Sequence, residues 1–403
     1  MSHNAGDRGR LAAVSESSPS GGTVDPRFAA VRHAFAENFT ERDEVGAAVC
    51  VSVDGQVVVD LWGGYADRHQ RRQWQPDTLV NGFSVGKGFI ALLVAQVVGD
   101  RSLELDAPVA TIWPDFAQAG KGSITGRQLL THQAGLPAIR HRLPPDSMFD
   151  WASMTATLAA EGPWWEPGLA HGYHVNTYGF LVGEVLRRVT GRSPGDLLRR
   201  RVAGPLGADV RLGLPASDDH RVADFLWPGD PPAEAAPERD DGQPIEPIEL
   251  MRYNAYFNPS GLSGAGVVNT RAWRAAEMPS TNTHASARGV ARVYAALAAG
   301  GTLDGISIVD PVALAEATTE QVHGPDVVLD RTSRFGLGFQ LTQVDRPLGP
   351  NRGGFGHFGA GGSLGFADPD SGVAFGYVMN QLGLRWQNPR NQALIDAVYE
   401  SLA

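Results

Sequence analysis

Ser84 and Lys87 stand three residues apart, just ahead of the apolar run Phe89-Ile90-Ala91-Leu92-Leu93-Val94-Ala95. If that run is helical, the two side chains share a face and the amine lies about one turn above the hydroxyl. A serine becomes a nucleophile when a base takes its proton, and a lysine serves as that base near neutrality only if burial depresses its pKa. Phe83, Val85, Phe89 and Ile90 supply apolar surroundings. The same serine also falls in Gly82-x-Ser84-x-Gly86, the pattern of a nucleophile elbow between a strand and a helix. The two patterns imply different folds and different bases. Gly-x-Ser-x-Gly recurs at Gly361-Gly362-Ser363-Leu364-Gly365, but no histidine follows Ser363, so a glycine-rich strand entry is expected there. Around Ser84 the chain lacks the repeated β-α alternation of a doubly wound sheet, which favours Ser84-x-x-Lys87.

A serine and a lysine at this spacing also arise from an ordinary helix start, so the reading needs further partners. Tyr173 follows the turn Pro163-Trp164-Trp165-Glu166-Pro167-Gly168 and leads into His174-Val175-Asn176. Cationic or hydrogen-bonding neighbours are expected to lower its phenol enough to exchange protons with Ser84. His357-Phe358-Gly359-Ala360-Gly361-Gly362 opens a strand near the C-terminus, where glycines leave room for a substrate along the edge. The N–H groups of Ser84 and Ala360 then form a candidate oxyanion hole.

The elements that must position these residues follow from periodicity and turn residues. Residues 26–38 read as a helix, and residues 47–53 and 57–61 as a valine-rich hairpin across Asp54-Gly55. The helix after Ser84 runs to about Val98, and residues 103–109 form an ordered turn. Further helices end at Gly135, span 177–188 with a stop at Thr190-Gly191, and span 194–202. Residues 226–247 are rich in proline and acid, a loop excursion that is either a lid over a site or a mobile insertion. A helix at 285–299, strands at 338–344, 362–367 and 373–379, and a helix at 392–402 complete the chain. Strands at both ends with helices between suggest an α+β lobe from residues 25–82 and 285–403, interrupted by a mainly helical lobe, 83–284. Residues 1–24 are expected to be a flexible tail.

Composition bounds the function. A chain of 403 residues with 42% hydrophobic content folds into two lobes or domains. A formal charge of -10 argues against a nucleic-acid partner. The basic cluster Arg199-Arg200-Arg201 is expected to be a solvated helix end. Cys50, the single cysteine, sits in an apolar run and is expected to be a buried structural thiol. No run approaches the roughly 18 apolar residues of a membrane helix, and the first residues lack the apolar core of a signal peptide, so a cytoplasmic protein with no membrane partner is expected. The eleven histidines are scattered, so no metal and no cofactor are expected.

Ser84/Lys87, then Tyr173, then His357-x-Gly359 resemble, in that order, the three motifs of the serine β-lactamase and penicillin-binding protein superfamily. Within it the chain is most similar to the class C β-lactamase-like carboxylesterases, the family VIII esterases. The similarity runs from about Asp25 to the C-terminus and includes Leu129-Leu130-Thr131-His132-x-x-Gly135-Leu136 and Gly356-His357-x-Gly359-x-Gly361-Gly362-Ser363. It implies an antiparallel sheet flanked by helices plus a mainly helical lobe. It also implies an acyl-enzyme on Ser84, with Lys87 and Tyr173 sharing proton transfer, Ser84 and Ala360 holding the oxyanion, and His357 and Gly359 against the substrate. Which of Lys87 and Tyr173 is the base stays open at this level.

The sequence departs from the superfamily pattern in two places. Val175 takes the third position of Tyr-x-Asn, with Asn176 one residue late, and His357 replaces the lysine of Lys-Thr-Gly. In β-lactamases those side chains help hold the antibiotic, so the departures favour neutral, short-chain or aromatic carboxylic esters. Acyl transfer to an alcohol or amine, thioesterase or amidase action, weak β-lactamase activity and a non-catalytic binding module are the alternatives. Glu166, in its tight turn, is a poor candidate for a deacylation base. Trp164, Trp165, Tyr253, Tyr256 and Phe257 suit a core as well as a pocket.

Overall fold

Asp54 and Gly55 turn the chain with φ of 50° and 78°, the two positive values that a tight two-residue hairpin asks for. The hairpin is the start of one large sheet. The computed structural model describes residues 20–69, 71–229 and 245–403. Its main strands are β1 (Ser20–Val24), β2 (Gly46–Val53), β3 (Gln56–Gly64), β4 (Val322–Asp326), β5 (Arg331–Phe335), β6 (Gln340–Leu341), β7 (Phe355–Phe358), β8 (Leu364–Asp368) and β9 (Val373–Met379). They form a nine-stranded sheet in the order β1-β3-β2-β9-β8-β7-β6-β5-β4, antiparallel throughout. The chain ends thus meet at the centre, where β2 pairs with β9.

The longer helices are α1 (Ala29–Glu41), α2 (Val85–Gly99), α3 (Thr177–Thr190), α4 (Pro247–Phe257), α5 (Ala287–Ala298) and α6 (Pro389–Glu400). Successive residues of a strand point to opposite faces, and β9 shows what covers each. At Gly376 a side chain would collide with the backbone of α5 at Ala287 and Ala291. The next residue, Tyr377, donates to Glu44, which also pairs with Arg390 of α6 at 2.8 Å. Helices therefore cover both faces of the centre. α2 is apolar all round and buried on every side, as a helix through a core must be.

Several expectations need correcting. Residues 20–24, placed in the tail, are the edge strand β1, paired with β3 from Ser20↔Gly63 to Val24↔Val59. Residues 1–19 and 230–244, which hold the rest of the tail and most of the proline- and acid-rich excursion, lie outside the described residues. Around the latter, Leu226 bonds the chain at Asn380 and Leu382, and Pro247 begins α4. The strand expected at 338–344 shrinks to Gln340–Leu341. The stretch read as a helical lobe contains Val210–Arg211, which joins Val80–Asn81 and His284–Ala285 in a small sheet just ahead of Ser84. Cys50 is buried, and burial pushes its thiol up to about 12.

Candidate active site

Ser84 caps α2, and its hydroxyl makes no capping bond to the helix, so the oxygen is free for another partner. The residue before it, Phe83, holds φ +48°, a left-handed conformation that costs a bulky residue of order 1 kcal/mol or more. Burial of its ring edge-on against Phe225, 4.8 Å between centroids, supports that conformation. Gly86 is required by contact: a Cβ there would lie 2.2 Å from Thr283 Oγ1 and 2.8 Å from the Pro279 carbonyl oxygen. At Gly82 the nearest atoms to a Cβ are 3.6 Å away, an ordinary distance. The glycine pair around Ser84 therefore reflects how α2 packs against residues 279–283.

Lys87 is fully buried, and Nζ has three neighbours: Ser84 Oγ at 3.0 Å, the Val175 carbonyl at 2.6 Å and the Ser280 carbonyl at 3.1 Å. Burial pushes its pKa well below the ordinary lysine value, and among the described residues no carboxylate is ion-paired with it. A neutral amine has two N–H donors and one lone pair. Carbonyls only accept, so a neutral amine with its two N–H bonds on Val175 and Ser280 has its lone pair left for Ser84 Oγ, whose hydroxyl otherwise donates to the Ser280 carbonyl at 3.4 Å. That is the arrangement a general base needs.

Tyr173 is fully buried beside them, with Lys87 Nζ 4.8 Å from its ring centroid. Burial raises its phenol well above 10, while a hydrogen bond with Ser84 acts in the opposite direction. The expected lowering is therefore corrected. Of the cationic or hydrogen-bonding neighbours that were to supply it, Ser84 acts in that direction, and burial outweighs it. His357 donates from Nδ1 to its neighbour's carbonyl, Phe358 O, at 2.7 Å, which leaves Nε2 as an acceptor 3.5 Å from Tyr173 Oη. Burial holds this imidazole well below its usual range, hence neutral. His357, expected against the substrate, is fully buried and faces Tyr173 instead.

The tyrosine is held by a residue that the sequence did not single out. Both oxygens of Asp326, the last residue of β4, accept from the Tyr173 N–H, at 3.0 and 3.1 Å. The same carboxylate takes the N–H groups of Val328 and Leu329 and the hydroxyl of Ser333, which in turn contacts His171 Nε2 at 2.9 Å. Charge-assisted bonds of this kind are worth ~1.5–3 kcal/mol each, so the phenol's backbone is firmly anchored to the sheet edge. His132 and His174 pack against one another nearby. Burial holds His132 well below its usual value and brings His174 to about 4, so both are neutral.

The end of β7 approaches the nucleophile closely. A Cβ on Gly359 would lie 2.2 Å from the Gly82 carbonyl oxygen, so only glycine allows this contact. Gly359 N–H is taken by Ser363 O at 2.7 Å and Gly362 N–H by Gly359 O at 3.2 Å. Among the described residues no backbone acceptor takes the N–H of Ser84 or of Ala360. Ser84, 8% exposed, is the member of the Ser84, Lys87, Tyr173 trio that a substrate reaches.

Other sequence candidates are not brought to this point. Ser363 is completely buried with an unpartnered hydroxyl, and Glu166 is exposed on its turn. Asn176 points its amide at the Ala255 carbonyl and Ser263. Val175 contributes its carbonyl, not its side chain, to Lys87. Trp164, Trp165 and Tyr256, set aside in the sequence, pack with Trp386, Met251, Val328 and Phe335 around Tyr173 in a cluster separate from the main core. Residues 279–283, Pro-Ser-Thr-Asn-Thr, were missed as well. Their only signal was a short run of polar residues, clamped here by Asn81 to Thr281 O at 3.1 Å and by Asn282 to Trp273 O at 2.7 Å.

A serine at a helix start, a buried lysine one turn on and a buried tyrosine from a second element define an acyl-transfer centre of the serine β-lactamase type, on a β-lactamase/DD-peptidase-like fold. A family model described as Beta-lactamase matches residues 31–400, and the chain belongs to that family. It is 37% identical over 363 residues, 90% of this chain and 83% of the relative, to the esterase/beta-lactamase LipL of Mycobacterium tuberculosis. Among solved structures it is similar to a family VIII carboxylesterase, with 41% identity and a TM-score of 0.87 over 95% of this chain and 100% of that one. It is equally similar to a penicillin-binding protein homologue from Caulobacter crescentus, with 42% identity, a TM-score of 0.87 and the same coverage of 95% and 100%.

Proposed function

We propose that the protein is a serine carboxylesterase that works through an acyl-enzyme on Ser84, with Lys87 as the general base. The observation that carries this reading is the partner set of Lys87: two carbonyls and one hydroxyl around a fully buried amine. Lys87 takes the Ser84 proton as Oγ attacks the ester carbonyl. The N–H groups of Ser84 and Ala360 receive the oxyanion. Lys87, now an ammonium, passes its proton through the Tyr173 hydroxyl to the departing alkoxide as the acyl–oxygen bond breaks. Water then follows the reverse route: it loses a proton to the same pair, attacks the acyl carbon and releases the acid. Because the Tyr173 phenol is raised, it relays a proton and does not store the negative charge of a base. His357 is a positioning residue for that hydroxyl. Similarity to an esterase/beta-lactamase and to a family VIII carboxylesterase supports the substrate class.

The test is hydrolysis of p-nitrophenyl acetate and butyrate by the wild type and by Ser84→Ala, with nitrocefin alongside. The expected result is ester hydrolysis that Ser84→Ala loses by at least ~10³-fold, as for removal of other activated serine nucleophiles. A fluorophosphonate probe should label Ser84 and leave Ser363 untouched. Undiminished hydrolysis by Ser84→Ala ends the assignment, and nitrocefin turnover exceeding that of the esters moves it to a β-lactamase.

A further inference from the structure

Arg331 opens β5, directly opposite Asp326 in the ladder. Its guanidinium lies 4.4 Å from the centre of the Trp386 indole, and Trp386 meets the Tyr173 ring edge-on at 5.2 Å. It is half-buried, and its Nε is buried without a hydrogen-bond partner. No carboxylate pairs with it among the described residues. Asp326, the acid across the strand, spends its oxygens on Tyr173, Val328, Leu329 and Ser333. Arg346, on the neighbouring turn, adds like charge: its pKa is lowered by burial and then by Arg331, and its own acid, Asp345, is 57% exposed. Arg252 on α4 is already paired with Asp330 at 2.9 Å. Most arginines of this chain have a carboxylate; this one stacks on an active-site aromatic with its donor edge unused. A buried or half-buried charge left unpaired is costly, and planar guanidinium selects planar carboxylate through two parallel bonds.

We propose that Arg331 is a specificity residue that binds a carboxylate of the substrate, so the preferred ester carries an anionic group on the Trp386 side of the site. The lysine that this family pattern places at the strand edge is His357 here, and the positive charge enters from β5 instead. The proposal rests on the ester-hydrolase reading. Its test uses two matched pairs: mono-p-nitrophenyl glutarate against p-nitrophenyl pentanoate, and 3-acetoxybenzoate against phenyl acetate. The wild type should favour the charged member of one pair by ~10-fold in kcat/KM, as one charge-assisted bidentate contact allows. Arg331→Met should abolish that ratio, and Arg331→Lys should keep part of it. No preference in either pair, or a preference that Arg331→Met leaves in place, overturns the proposal. If none of the four esters is hydrolysed in a Ser84-dependent way, the ester-hydrolase reading has failed. Calorimetric titration of glutarate and benzoate into Ser84→Ala and into Ser84→Ala with Arg331→Met then still decides the guanidinium's role. Weaker carboxylate binding by the double variant supports it, and equal binding overturns it.

Discussion

Two lysines of this protein, Lys87 and Lys121, are completely buried, and they have been put to different uses. Lys121 Nζ donates to three carbonyls, those of Gln118 and Ala159 at 2.9 Å and that of Glu161. Burial lowers its pKa, but the Glu161 carboxylate pulls it back up. Three acceptors and an acid are what an ammonium needs, so Lys121 is a charged cross-link between its own turn and the end of the helix Trp151–Ala160. Lys87 has two carbonyls, no acid and, as its third neighbour, a hydroxyl that can give a proton. Burial alone does not make a base. The third partner does.

The largest expected effect separates these two lysines. Lys87→Met should lower kcat/KM for p-nitrophenyl butyrate by ~10³-fold or more, in line with loss of a catalytic base that acts as a unit with its nucleophile. Lys121→Met should leave kcat within a few-fold at a temperature where the protein stays folded, yet cost ~2–4 kcal/mol in denaturant melts because three buried carbonyls lose their donor. Equal losses of activity in the two variants would erase the distinction. Next in size is Gly86→Ala, whose Cβ would press on Thr283 and Pro279, the flanks of the Ser280 carbonyl that Lys87 uses. It should cost ~1–3 kcal/mol as an overpacked site, while Gly82→Ala stays within ~0.5 kcal/mol. A reversed order in chemical melts would revive the nucleophile elbow.

The smallest effect is in pH dependence. Between the depressed pKa of Lys87 and the ordinary lysine value, the unfolded chain binds a proton that the folded chain does not. Stability contributed through Lys87 therefore rises with pH across that window. The stability of wild type relative to Lys87→Met should increase from pH 7 to pH 10 in urea titrations. A flat difference would mean that Lys87 is an ammonium in the folded state, like Lys121.

The nucleophile and its base were legible in sequence because their relation is local, three residues along one helix. Tyr173 and His357 were legible as motifs, but His357, expected to open a strand, lies near the end of β7. The carbonyls of Val175 and Ser280 were not, since any residue supplies a carbonyl and only the fold decides where it points. Asp326 was hidden for a similar reason, and so was its strand. Val322-His323-Gly324-Pro325-Asp326 shows neither alternation nor β-branched enrichment, and Pro325 is tolerated only because β4 lies at the sheet edge. β1 escaped notice because Ser20-Gly21-Gly22-Thr23 reads as linker until it finds β3. Tyr173 taught the opposite lesson. Its position was expected, but its acidity was argued from neighbouring groups whose effect burial outweighs.

At the centre of the site burial lowers the pKa of Lys87, His132, His174 and His357 and raises that of Tyr173, so it disfavours the charged form of each. Groups kept from charging gather little ion atmosphere, so added electrolyte has little to screen among them. Turnover of an uncharged ester should be indifferent to ionic strength. Whatever salt dependence another substrate shows then measures charges outside the centre.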